Sequence, residues 1–238
     1  ISVTITAVND TPTATAGTLT TNEDTTYTGT LTGTDIENSP LTYSIVSNGT
    51  NGTATVTNAA TGAFQYVPSS NQTGSDSFTF KVNDGTADSS PATISVTITA
   101  VNDTPSFTKG ADQTVLEDAG VQITTNWATG ISAGPSDESS QTVSFSLSIT
   151  NSALFSVSPT ISSNGTLTYT PAANANGVSS ITVFAVDNAG TSNGGDDTSD
   201  GQTFTITVTA VNDTPSFTEG ADQTVAYNST SQTITNWA

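Results

Sequence analysis

The chain contains no cysteine, no histidine, no methionine and no arginine, and its only basic side chains are Lys81 and Lys109. Without cysteine there is no disulfide, no zinc–thiolate site and no thiol nucleophile. Without histidine or sulfur ligands, most transition-metal sites are also excluded, which leaves hard, oxygen-ligated cations such as calcium. Two lysines stand against 21 acidic residues, a formal charge of −19. No basic patch can therefore be assembled for phosphate, so nucleic acid is excluded as a partner, and an anionic membrane surface would repel the chain. No apolar run reaches the roughly 20 residues that a membrane helix needs, so no direct membrane insertion is expected. The chain opens at Ile1 with no leader-like segment, and any export signal is expected outside it. The lack of disulfides is compatible with a place outside the cell, where they are frequent but not required.

What is abundant is threonine, 51 of 238 residues. Threonine and valine suit a pleated surface because of their β-branched side chains. Low hydrophobicity with high charge can mean disorder, but here the apolar residues alternate in short runs, as strands do. The chain also repeats itself. ISVTITAVNDTP at 1–12 recurs unchanged at 94–105, and FTITVTAVNDTP ends at Pro215. VNDTP starts at Val8, Val101 and Val211, 93 and 110 residues apart, each the length of an immunoglobulin-sized sandwich. The expected organisation is a last strand of a preceding repeat at 1–10, a complete repeat at 11–103, a longer one at 104–213 and the start of a third at 214–238.

Seven strands are predicted in the first complete repeat, near 13–20, 25–32, 41–47, 53–57, 63–67, 76–83 and 91–101. Phe78, Phe80 and Val82 share one face, as do Ile94, Val96 and Ile98, and as do Phe64 and Tyr66 ahead of Pro68. Leu167 and Tyr169, Ile181 and Val183, and Phe204, Ile206 and Val208 play the same part in the second repeat. These sets predict the cores. No segment has helical periodicity. The fold class is all-β, in tandem sandwiches stacked end to end.

Several motifs match a known family. VNDTP after a Thr/Val strand, NEDT, TDIENSPL, GAFQYVP and SFTFKVNDG resemble the cadherin-like, immunoglobulin-like repeats of giant bacterial surface adhesins. LEDAG, NWATGISAGP, NGTLTYTPAANANG and FTITVTAVND resemble a sister repeat type of the same proteins. The resemblance covers essentially the whole chain. It implies seven-stranded Greek-key sandwiches, an extracellular or cell-surface location, and calcium at the junctions between repeats.

Topology predicts where the acids gather. In a seven-stranded sandwich, alternate loops fall at opposite ends. Glu23, Asp24 and Asp76 then approach the exit linker Asn102–Asp103. Asp137 and Glu138, with Asp187, Asp196, Asp197 and Asp200, approach the same linker from the second repeat. Calcium takes six to eight oxygens from carboxylates, carbonyls and amide side chains, and this central junction offers enough. An upper junction would use Asn9, Asp10, Asp35, Glu37, Asp84 and Asp88. A lower one would use Glu117, Asp118, Asn212 and Asp213. A second reading stays open: Asp and Asn are common in turns because they accept backbone hydrogen bonds there. Two departures speak against a uniform calcium chain. Tyr227 and Asn228 stand where the second repeat has Glu117 and Asp118, and Ser179 and Ser180 stand near the counterpart of Asp76. The acidic run at 196–201 is not an EF-hand loop, because Thr207 occupies the twelfth position.

Catalysis is not expected. The hydroxyls lack a histidine or lysine base, and paired acids such as Asp35 with Glu37 sit in loops where no deep cleft forms. The leading expectation is a structural stalk or filament module whose partners are neighbouring repeats of the same chain and identical chains. Two alternatives are a surface module for glycans or proteins, and a fibre subunit that exchanges strands. Trp127, which recurs as Trp237, is either an exposed sugar platform or a core residue.

Overall fold

A computed structural model describes residues 1–5 and 8–236. Two sandwiches follow one another along the chain. The first contains β1 (Thr13–Ala14), β2 (Gly17–Asn22), β3 (Tyr27–Thr30), β4 (Gly33–Thr34), β5 (Thr42–Ser47), β6 (Gly52–Asn58), β7 (Ala63–Pro68), β8 (Gly74–Asn83) and β9 (Ala92–Thr99). The second repeats that order with β10 (Ser106–Thr108), β11 (Gln113–Leu116), β12 (Gln122–Thr124), β13 (Thr129–Ser132), β14 (Ser144–Ile149), β15 (Phe155–Ile161), β16 (Leu167–Pro171), β17 (Gly177–Val186) and β18 (Gln202–Thr209). In each, a four-stranded sheet faces a three-stranded one: β2-β9-β8-β5 over β3-β7-β6, and β11-β18-β17-β14 over β12-β16-β15.

The first strand predicted, 13–20, is two strands, and the second sandwich starts in the same way. β1 pairs antiparallel with β4, and the chain then crosses to the other sheet, where β2 runs parallel to β9 with Leu19 opposite Val96. β10 pairs with β13, and β11 runs parallel to β18. Crossing between sheets requires small residues against the packed edge. Ala16–Gly17 and Gly110–Ala111 supply them, and a side chain at Gly110 would meet the Trp127 ring at 2.6 Å. Trp127 is therefore core. It is 3% exposed, its ring centroid lies 4.4 Å from that of Phe204, and its indole Nε1–H donates to the Ala111 carbonyl at 2.9 Å. It offers no sugar platform, while Trp237 lies outside the described residues.

Two separate cores form. Phe64, Tyr66, Phe78, Phe80, Val82, Ile94, Val96 and Ile98 fill the first. Leu167, Tyr169, Ile181, Val183, Phe204, Ile206 and Val208 fill the second with Trp127. Burying each such side chain contributes about 1.5–3 kcal/mol. The described residues of 1–10 and 210–236 carry no strand. Ile1, Val3 and Ile5 are exposed although the same ISVTI is buried at Ile94, Val96 and Ile98. Among the described residues, no helix is long and apolar enough to cross a membrane.

Asp76 departs from its expected place at the junction. Its carboxylate accepts from the Thr50 N–H at 3.1 Å, the Asn51 N–H at 3.2 Å and the Tyr66 hydroxyl at 2.6 Å. It thus ties the β5–β6 turn to β8. Burial first, and then this bond, push the Tyr66 phenol well above its ordinary range. In the second sandwich Ser179 takes this place, its hydroxyl accepting from the Asn151 N–H at 3.2 Å. Removing the Tyr66 hydroxyl breaks a bond to a charged acceptor. Tyr66→Phe is expected to destabilise the first sandwich by about 1.5–3 kcal/mol in urea unfolding, more than Tyr169→Phe destabilises the second.

Candidate metal centre at the linker

The linker Val101–Asn102–Asp103 lies between the strands of the two sandwiches, and its polar groups find partners in both. Each sandwich supplies a buried glutamate to meet them. Glu23, at the β2–β3 turn, accepts from the Val101 N–H at 2.7 Å. Glu138, in a short 3₁₀ turn after β13, accepts from the Asp103 N–H at 2.9 Å. The two side chains are 3% and 5% exposed. Gly134 makes room for Glu138, since a Cβ there would stand 1.6 Å from its Oε2.

Each glutamate uses only one oxygen in this way. Glu23 Oε2, Glu138 Oε2 and Asp103 Oδ2 are all buried with no hydrogen-bond donor. Burial raises the affinity of Glu23 for a proton. The Val101 N–H opposes this, and the neighbouring Asp137, Asp103 and Asp24 charges add to it. Asp103 is raised by burial and then by Asp24 and Asp137. Four carboxylates therefore share one electrostatic neighbourhood without a nearby lysine. Glu23, Asp24 and Asp103 line a cavity of about 240 Å³ with Asn22, Thr25, Val101, Asn193 and Gly194. On the far side of the linker, Asn102 donates to Asp187 Oδ2 at 3.0 Å and accepts from Gln141 Nε2 at 2.9 Å.

Orphaned, buried carboxylate oxygens with an amide side chain beside them are the donor set of a hard cation. Calcium fits it and softer metals do not. Among the described residues, no three acidic side chains already stand closed around one point. Like charges at short range in a partly dry site repel, so such a cage would close only as the charge is cancelled.

The other predicted residues are distributed as follows. In the upper group, the Asp10 N–H donates to Glu37 Oε2 at 3.3 Å and Asn9 Nδ2 donates to Asp84 Oδ2 at 2.8 Å. These contacts match those of Asp103 with Glu138 and of Asn102 with Asp187. Asp35 accepts from the Glu37 and Ser39 N–H groups through Oδ1, while its Oδ2 is buried and unpartnered. The N–H of Ala87, then the Asn9 amide and the N–H of Thr86, hold Asp84 below the ordinary carboxylate range. Asp88 is held elsewhere: Lys81 Nζ pairs with Oδ2, and Asn83 Nδ2 donates to Oδ1 at 2.8 Å. In the lower group, Glu117 accepts from the Val211 N–H at 2.8 Å, as Glu23 does from Val101. Asp118, like Asp24, accepts from a loop N–H, that of Asn174. Asn212 donates to the Asp213 carbonyl at 3.2 Å.

Sequence reasoning missed Asn22, Gln141, Asn193 and Gly195, since it sought acids. Asp196 reaches the linker through its backbone. Its N–H donates to the Asn102 carbonyl at 3.0 Å, and its carbonyl accepts from Asn102 Nδ2 at 2.9 Å. Its carboxylate, with that of Asp197, serves Thr198 instead.

Residues 9–97 match the family model of the bacterial Ig domain. Among solved structures, human protocadherin-24 EC1-2 is 19% identical with a TM-score of 0.59, over 84% of this chain and 100% of that one. A second crystal structure of the same human fragment is 16% identical with a TM-score of 0.54, over 86% of this chain and 100% of that one. Mouse cadherin-23 EC22-24 is 16% identical with a TM-score of 0.50, over 86% of this chain and 67% of that one. No curated protein matches by sequence. The fold of the chain is thus that of tandem immunoglobulin-like, cadherin-like sandwiches.

The crowded acids have a pH signature. Glu23 and Asp103 bind protons more readily in the folded chain than in the unfolded one. Without divalent cations, stability is expected to be fully present below the ordinary carboxylate range and lost as pH rises through the raised values. Thermal unfolding in chelator should show a higher midpoint at about pH 5 than at about pH 7, and Glu23→Gln should flatten the difference.

Proposed function

We propose that these repeats form a structural segment of an extracellular, adhesion-type stalk or filament, with its junctions stiffened by calcium. The observation that carries this reading is the pair Glu23 and Glu138. Each sandwich buries one glutamate at the same linker, fastens one N–H with it and leaves the second oxygen free. A solvated turn acid has no reason to be buried in this way, because burial of an unpartnered carboxylate is costly.

Glu23, Asp24, Asp103, Asp137 and Glu138 would hold the cation, with Asn102 and Asp187 beside them. When bound, it would supply the positive charge that the chain lacks. Glu23 and Glu138, one from each sandwich, hold the linker at Val101 and Asp103. The upper group Asn9, Asp10, Asp35, Glu37 and Asp84 and the lower group Glu117, Asp118, Asn212 and Asp213 repeat parts of the same arrangement. The role is mechanical and non-enzymatic. Repeats contact mainly their neighbours, so stiffness is set joint by joint. Neighbouring repeats, identical chains and surface glycans are the partners that suit such a stalk. The family matched by the first sandwich and the cadherin ectodomain fold of the pair support an extracellular setting.

The test is thermal unfolding of the whole chain in millimolar calcium and in chelator. A ligand at a hundredfold excess over its Kd stabilises the folded state by about 2.7 kcal/mol. A midpoint several degrees higher in calcium, lost in Glu23→Gln and Asp103→Asn, is expected. The same midpoint in both conditions would defeat the calcium reading and leave the acids as turn formers.

A further inference from the structure

The two connections that reach the linkers from the last hairpin of each sandwich differ in length. In the first sandwich, five positions separate Asp84 from Ser89, whose hydroxyl accepts from the Val82 N–H. In the second, twelve separate Asp187 from Ser199, whose hydroxyl accepts in the same way from the Ala185 N–H. The second connection thus carries seven extra residues, and these leave their own sandwich. Asn193 Nδ2 donates to the Ala100 carbonyl at 3.1 Å, just past β9. The Asn193 carbonyl accepts from Asn22 Nδ2 at 3.2 Å, in the first sandwich. Asp196 joins the linker through two bonds to Asn102, in opposite directions. Between these contacts the chain lies flat on the linker. A Cβ at Gly195 would stand 2.7–2.9 Å from the backbone N, Cβ and O of Asn102.

From these contacts we infer that residues 190–196 are a strap, a cation-independent joint that fixes the angle between the two sandwiches. None of the four bonds involves a carboxylate, so none depends on cancelling charge. Two tie the second sandwich directly to the first, and two tie it to the linker. Asn193 takes a left-handed conformation (φ 59°, ψ 15°), which asparagine tolerates, and this turns both its amide and its carbonyl toward the first sandwich. Among the described residues, the short connection at Asp84–Ser89 reaches the upper linker through the Asp84 side chain. The central linker is therefore held by neutral bonds as well as by carboxylates, whereas the contacts described at the upper linker come from the carboxylates of Glu37 and Asp84. This distinction goes beyond the calcium reading and survives its failure.

The test uses the whole chain, whose lack of cysteine allows spin labels to be placed at Thr55→Cys and Thr160→Cys, one on each sandwich. Distances between the labels are read by pulsed electron resonance, throughout in excess chelator. The parent chain is expected to give one narrow distance peak. Asn193→Gly with Gly195→Ala removes the amide and lifts the strap while still allowing the left-handed turn, and should lose that peak to a broad distribution. Deleting residues 190–196, which restores the length of the shorter connection, should do the same. Thermal unfolding of each variant verifies that the second sandwich is still folded. A broad distribution in the parent chain, or a peak equally narrow in the folded variants, would overturn the strap. Whether calcium binds does not enter the result.

Discussion

The structure depends on how three backbone residues are held between two bodies that do not otherwise share a core. Val101 and Asp103 each point an N–H out of the linker, and each is met by a glutamate from a different sandwich. A linker without such partners would leave two domains free to swing, which is the default for small interfaces. Glutamate serves here because it accepts with one oxygen and retains another. That second oxygen creates the problem that the rest of the junction must answer. Glu23, Asp24, Asp103 and Asp137 are acids within reach of one another, with no base among them.

The chain repeats this arrangement along its length with graded completeness. Glu117 and Val211 reproduce Glu23 and Val101, and Glu37 and Asp10 reproduce Glu138 and Asp103, though at a longer distance. Of the acids, Asp76 alone lies within a strand, and its carboxylate is taken up by Tyr66 and the β5–β6 turn. All the others sit in turns and linkers. The strands present serine and threonine to solvent and apolar residues to the core. Most of the negative charge of the two sandwiches is thus carried at their ends, with Asp112 on the flank against Thr205 of β18, and a small number of cations at the junctions would act on much of it.

Much of this fold was legible in the sequence, because a period of two places a core and identical segments mark repeats. The crossing of β1 into β2 was not. Its signal is the small pairs Ala16–Gly17 and Gly110–Ala111, which read equally well as a turn. Nor does a strand pattern say whether a strand is paired: ISVTI is buried at 94–98 and exposed at 1–5. At the junction, topology brought together Glu23, Asp24, Asp103, Asp137, Glu138 and Asp187. It misplaced Asp76 and Asp88 because a carboxylate on a strand or hairpin takes the nearest donor, here Tyr66 and Lys81. The strap had one sequence signal, the seven extra residues between Asp187 and Ser199. The connection that holds them, DNAGTSNGGDD at 187–197, pointed to acidic ligands, whereas the contacts are made by asparagine, glycine and backbone.

Charge and strap act on the same linker, so they are coupled. Any bond that holds Asn102 and Ala100 in place before a cation arrives reduces the ordering cost of binding. Linkage then requires the converse: a cation bound at Glu23 and Asp103 must stabilise the docked strap by the same free energy. The coupling has a structural route, because Asn193 and Gly194 line the cavity with the acids. A joint that has both devices is restrained twice, once by neutral hydrogen bonds that salt and chelators leave intact, and once by charges that they do not. A joint with charges alone has a single restraint that follows ionic conditions. Repeats that share the same linker sequence, VNDTP, can in this way give neighbouring joints different stiffness through the length of one loop.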